Sequence, residues 1–272
     1  MQYKQNLHTH SIFSDGKDSP ESLIQEALKR GFCGIGFSEH AFCARSGYAL
    51  QMPVERTAQY QQEIRRLKEK YAGQIDVFCG LEYEMLADIP LDGFEYIIAS
   101  AHYLDMDGRT VAVDTNVQQT LDCVRENFGG DGMAYAKAYY ENIAHLPEKG
   151  NFDILAHFDL VTKNNEKANF VDADSKEYLD AAFEAVHALK GKIPFFEVNT
   201  GVISRGYRSF PYPQLDILKE FCKCGFGAVI SSDCHNKDLL DHSFEEATQL
   251  LETAGFRSKY ILTNEGFREV AL

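Results

Sequence analysis

The chain has 272 residues, 44% of them hydrophobic, with 19 Phe, 14 Tyr and no Trp, enough for a substantial core in one large domain or two small ones. Its 27 basic and 41 acidic residues leave a net charge of −14. Such a surface repels phosphate backbones and argues against general nucleic-acid binding, leaving room only for a local basic pocket.

The first predicted strand is "YKQNLHTH". A helix follows in "SPESLIQEALKRG": Ser19 can cap it, Pro20 takes the first helical position, Leu23, Ala27 and Leu28 recur at helical spacing, and Gly31 ends it. "CGIGFSEH" reads as a short apolar strand, "VERTAQYQQEIRRLKEKYAG" as a helix with a charged outer face, and "IDVFCGLEYE" and "EYIIASAHYL" as two more strands. Helices are predicted in "VQQTLDCVRENFG" and "DGMAYAKAYYENIAHLPEKG". "FDILAHF", "PFFEVNT", "FGAVISSD" and "KYILT" complete the strands, with helices at 174–190, 212–224 and 243–254 between them. Strand–helix alternation of this length implies parallel βα units, and seven or eight such units imply a barrel. The chain shows no internal repeat or linker, so residues 1–272 are expected to form one domain, with a helical insertion around 103–150 whose first part, 103–131, can serve as a lid.

Seven scattered cysteines, odd in number, suggest reduced thiols in the cytoplasm, and the close pair Cys222 and Cys224 is read as buried or idle. The start, "MQYKQNLHTH", lacks an apolar stretch of signal-peptide length, and no run approaches the ~20 apolar residues of a membrane span. No membrane or nucleic-acid partner is expected.

The polar residues fall at telling places on this frame. His8 and His10 end the first strand, Glu39 and His40 the second, Glu82 the third, His102 the fourth, His157 the fifth, Glu197 and Asn199 the sixth, Asp233 and His235 the seventh. Six of nine histidines thus lie at strand C-terminal ends, which in a (β/α) barrel meet on the face that carries the active site. Residues i and i+2 of a strand point to one side, so His8 and His10 can grip one ion, as can Asp233 and His235 around a shared cluster. Imidazole suits zinc, iron and manganese, and a carboxylate can bridge two ions. His145, His187 and His242 lie on or near helices and are read as structural. Glu39 is read either as a partner of a ligand histidine or as a plain strand-end carboxylate; Cys234 should pack away from the site.

These motifs, "HTHS" at 8–11, "SEH" at 38–40, "GLEYE" at 80–84, "SAHYL" at 100–104, "LAHFD" at 155–159 and "SSDCH" at 231–235, resemble the PHP (polymerase and histidinol phosphatase) family of metal-dependent phosphoesterases. "FGGDGMAYAKAYYENI" and "EVNTGVISRGYRSFPYP" resemble its monofunctional histidinol-phosphate phosphatase branch. The resemblance implies a distorted (β/α)7 TIM-like barrel and a centre of two to three divalent ions (Zn, Fe or Mn). By position, a first ion takes His8, His10, Glu82 and Asp233; Glu82 bridges to a second held by His102 and His157; a third takes Asp15, His40 and His235. Other branches of the family carry histidine where Asp15 stands.

The implied reaction is hydrolysis of a small phosphorylated substrate, L-histidinol phosphate, by direct attack of a metal-activated hydroxide, with Asp15, His40, His235 and Arg205 at the catalytic positions. Two other readings are another PHP phosphoesterase acting on phosphotyrosine, nucleotides or nucleic-acid ends, and a metal-bound interaction module without turnover. From the residues themselves, the loop "NTGVISRGYR" at 199–208 follows the sixth strand and should lie over the metal face. Arg205 is expected to clamp phosphate bidentately without affecting metal content, with Arg208 and Asn199 as further substrate contacts.

Overall fold

The computed structural model describes residues 3–272. In chain order it contains β1 (Gln5–Asn6), α1 (Pro20–Lys29), β2 (Gly34–His40), α2 (Thr57–Lys70), β3 (Asp76–Glu84), β4 (Tyr96–Ser100), β5 (Tyr103–Met106), β6 (Arg109–Ala112), α3 (Val117–Phe128) and α4 (Gly132–Ala144). Then come β7 (Ile154–Leu155), α5 (Asn165–Ala168), α6 (Lys176–Leu189), β8 (Phe195–Asn199), α7 (Gly201–Ser204), α8 (Leu215–Cys224), β9 (Gly227–Ser231), α9 (Phe244–Ala254), β10 (Ser258–Thr263) and β11 (Gly266–Ala271). The helix starts follow their caps. Ser19 accepts from Ser22 N ahead of Pro20, and Asn116 and Gln119 form a reciprocal capping box on α3.

Seven parallel strands pair in the order β1-β2-β3-β4-β7-β8-β9. The ring is nearly closed where Thr9 bridges Cys234 in parallel, with His10 N donating to Cys234 O at 2.9 Å and Cys234 N to His8 O at 3.2 Å. The expected (β/α)7 barrel is therefore present, with two departures. The first strand is regular only over Gln5–Asn6, and the segment carrying His8 and His10 continues as an irregular edge that closes the ring. "KYILT" lies outside the ring in an antiparallel hairpin, β10–β11. The hairpin docks on the barrel's N-terminal end: Gln5 Nε2 donates to Leu262 O at 2.8 Å and Leu262 N to Gln5 Oε1 at 2.7 Å.

Two apolar layers hold this frame. A large one lies between strands and helices; a small one, with Leu7, Phe78, Tyr96, Ile98, Ile154, Ala156 and Val229, fills the barrel floor. Tyr96 lies across Gly36 and Gly80, where an added Cβ would sit 2.3 Å from its ring or hydroxyl. Only glycine leaves room for that plug beneath the site. The long crossover from β4 to β7 carries the β5–β6 hairpin and helices α3 and α4, and α4 packs along α6.

Candidate metal centre

The strand register gathers the donors. Pairing of β2 with β3 sets His40 beside Glu82, and closure of the ring brings His8 and His10 beside Asp233. His8 Nε2 lies 3.4 Å from Glu82 Oε2 and 3.6 Å from Asp233 Oδ1; His10 Nε2 lies 3.5 and 3.3 Å from the same two oxygens. A tetrahedral zinc with bonds of about 2.0–2.1 Å spaces its donors about 3.4 Å apart. These separations are of metal size: the donor atoms of His8, His10 and Asp233 all lie within 4.8 Å of one another, and Glu82 meets both imidazoles at the same spacing. Glu82 turns its other oxygen to a second group, with Oε1 3.3 Å from His102 Nε2 and 3.1 Å from His157 Nε2. In a third, Asp15 Oδ2 lies 3.5 Å from His40 Nε2 and 3.2 Å from His235 Nε2. His10 and His40 touch two groups each: His10 Nδ1 lies 3.8 Å from Asp15, and His40 Nδ1 lies 2.7 Å from Glu82 Oε2.

The donor atoms fit cations better than they fit each other. His8 Nε2, both His10 ring nitrogens and Glu82 Oε2 are buried with no hydrogen-bond partner among the described residues. Buried polar atoms are seldom left so, and several facing one point indicate an ion. Charge agrees. Burial alone would protonate Glu82 and Asp233, yet the surrounding imidazoles, and for Asp233 chiefly Arg205, hold both well below the ordinary carboxylate range. Asp15 is held low as well, by His235 and His40 against its burial. Burial and the neighbouring His235 and His40 push His10 down to about 3. His40, opposed by burial but facing Glu82 and Asp15, rises to about 10.

A second ring of side chains aims the donors. Glu197 Oε2 meets His8 Nδ1 at 2.9 Å, while its Oε1 accepts from His157 N at 2.8 Å and Asn199 Nδ2 at 2.7 Å. Glu84 Oε2 meets both His102 Nδ1, at 3.0 Å, and its backbone N, at 2.8 Å. Such partners fix the tautomer and direction of a ligating imidazole. Glu84 escaped the sequence reading, although it sits two residues after Glu82 on the same face of β3. Glu39 contacts no ligand imidazole. Its carboxylate accepts from Ser11 N at 3.0 Å and from Ser11 Oγ at 2.5 Å and is bonded by Ser14. Glu39 therefore secures the turn leading to Asp15. Tyr48, also missed, donates to Asp15 Oδ2 at 2.7 Å.

The centre lies at the base of a cavity of about 480 Å³ that Arg205 also lines. Arg205 donates from Nη1 to Asp233 O at 3.0 Å and from Nη2 to Asp233 Oδ2 at 2.8 Å. It braces a residue in the left-handed region, φ 46, which few non-glycine residues adopt. A Cβ at Gly201 would come within 2.8 Å of this guanidinium. The expectation that Arg205 is independent of the metal ligands must therefore be revised, since it is bonded to one of them.

Arg208 and Asn199 are absent from the cavity wall. Arg208 is buried against Asp159, 3.1 Å, and Thr162, 2.9 Å, with its guanidinium over Tyr212 at 4.6 Å. Asn199 spends its amide on Glu197 and accepts from Gly201 N at 2.9 Å. Both support the site from behind. His145 and His187 make peripheral pairs with Glu148 and Glu220.

A seven-stranded barrel with clustered imidazoles and carboxylates at its strand ends defines a metal-dependent phosphoesterase scaffold, and the comparisons agree: the PHP domain model matches residues 6–201, and the chain belongs to that family. The chain is 31% identical to the histidinol-phosphatase of Bacillus subtilis over 89% of its own length and 97% of that protein's. Among solved structures, hisK from Listeria monocytogenes superimposes with a TM-score of 0.78 at 17% identity, covering 89% of this chain and 99% of that one. Histidinol phosphate phosphatase from Lactococcus lactis, complexed with zinc, L-histidinol and phosphate, superimposes with a TM-score of 0.74 at 21% identity, covering 97% and 98%.

Proposed function

We propose that this chain is a metal-dependent phosphomonoesterase that hydrolyses L-histidinol phosphate to L-histidinol and phosphate. The observation that carries the reading is the gathering of His8, His10 and Asp233, with Glu82 against both imidazoles, beside two further groups: Asp15, His40 and His235 with His10, and Glu82 and His102 with His40. The names of the relatives supply the substrate. His8, His10, Glu82 and Asp233 hold one ion, Glu82 with His102 and His157 a second, and Asp15, His40 and His235 a third. Divalent zinc, iron or manganese bound there supplies a water of lowered pKa and neutralises phosphoryl charge.

The protein's own groups do the rest. Glu197 and Glu84 keep the imidazoles aimed. Arg205, partly open to the cavity, faces phosphate oxygens with the N–H groups not spent on Asp233. Residues 1–272 are read as one functional unit with 103–150 inserted beside the site, and the free thiols support a cytoplasmic setting.

Phosphate release from a panel of L-histidinol phosphate, p-nitrophenyl phosphate, a mononucleotide and a phosphotyrosine peptide tests the substrate. Histidinol phosphate is expected to give by far the highest kcat/KM. A mononucleotide or phosphotyrosine peptide in that place would overturn the reading.

A further inference from the structure

Five carboxylates line the cavity: Asp15, Glu82, Glu84, Asp114 and Asp233. Four are committed, three among the clustered imidazoles and Glu84 to His102. Asp114 is the exception. Its partner is the Lys163 ammonium, which also stands 4.3 Å from the centroid of the Tyr207 ring. Lys163 and Tyr207 line the same cavity. The Asp114 side chain is 41% exposed and that of Lys163 only 12%, so the carboxylate is the member of the pair that a solute can reach.

A carboxylate beside an aromatic face, with an ammonium held between them, is the chemistry that recognises an organic cation. The place is built from both sides. Val113 N and Asp114 N donate to His102 O at 2.8 and 3.3 Å, tying Asp114 to a residue of the centre. On the other side, the buried Arg208–Asp159–Thr162 network anchors the turn that ends at Lys163.

We propose that Asp114 and Tyr207 form the subsite for the cationic amine of the substrate, and that the Lys163 ammonium fills this subsite when substrate is absent. The inference rests on the histidinol-phosphate reading above. A molecule carrying both an ammonium and a phosphate compensates both members of the pair, giving its cation to Asp114 and its anion to the face that Lys163 turns toward. An amine-free phosphomonoester leaves Asp114 unchanged and gains nothing from it.

The test is steady-state kinetics on metal-loaded enzyme with L-histidinol phosphate and p-nitrophenyl phosphate, with metal content measured on each variant. In Asp114→Asn the ratio of the two kcat/KM values falls about tenfold or more, mainly through KM for histidinol phosphate, on the scale of a lost charged hydrogen bond; Asp114→Glu recovers part of it. A second arm uses L-histidinol as a competitive inhibitor of p-nitrophenyl phosphate hydrolysis. Lys163→Met removes the internal competitor, so histidinol binds about threefold tighter or better. An unchanged ratio in Asp114→Asn, even with both activities reduced, overturns the subsite, as does unchanged or weaker histidinol inhibition in Lys163→Met. If the unmutated enzyme shows no preference for histidinol phosphate, the substrate reading fails first and the subsite with it.

Discussion

Glu82 is the residue on which most of the centre depends. Its two oxygens face His8 and His10 on one side and His102 and His157 on the other. Glu82→Ala should therefore strip metal from two positions and reduce turnover more than any single histidine change, as read by metal analysis and kcat/KM on the same preparations. Glu197→Gln tests the supporting ring. It keeps the shape but weakens the hold on His8 Nδ1, and metal affinity or activity should drop about 10–100-fold, the usual effect of losing such a partner; a wild-type affinity would show that His8 needs no aiming. Arg205→Ala should cost about 2–4 kcal/mol in kcat/KM. Because Arg205 also braces Asp233, metal content should fall with it. Arg205→Lys should recover only part, an ammonium being a point charge. Glu82 and the six strand-end histidines were legible because strand periodicity puts alternate residues on one face; Asp15, in the turn after the first strand, was legible only through the family resemblance. Arg208 was not: a glycine-bearing loop suggested exposure, and its buried partner Asp159 lies 49 positions away, beyond the reach of local pattern.

Among the elements, the barrel strands were legible from alternation with helices, but pairing was not. "KYILT" has the composition of a barrel strand, yet the following turn returns it onto β11, a pairing that composition does not reveal. The shortness of β7, Ile154–Leu155, makes its supports measurable. Asp153 Oδ2 accepts from Ile97 N at 2.8 Å, and burial raises its pKa. A carboxyl whose folded pKa lies above its unfolded value contributes stability that is fully present below the ordinary carboxylate range and is lost as pH rises through the raised value. Asp153→Asn keeps an acceptor without a titration. In urea melts of chelated protein, the variant should gain on the wild type as pH rises from about 4 toward neutrality. A difference that stays constant across this range would show that Asp153 titrates normally.

For the whole molecule, the barrel brings donors from residue 8 to residue 235 onto one face, so metal binding and folding are coupled. Ions that bind only the folded chain stabilise it by mass action, by about 2.7 kcal/mol at a hundredfold excess over Kd. Chelation should accordingly lower Tm by several degrees, and zinc or manganese should restore it; an unchanged Tm would separate the cluster from the fold's stability. Whether this cluster carries the hydrolysis is read most directly by one titration. Chelated protein is returned to increasing equivalents of metal while bound ions and the rate of phosphate release from L-histidinol phosphate are both measured. The rate should rise from background to a plateau at two to three ions per chain, with Glu82→Ala neither binding the full complement nor regaining the rate. Full turnover by metal-free protein, or full recovery by Glu82→Ala, would contradict the account.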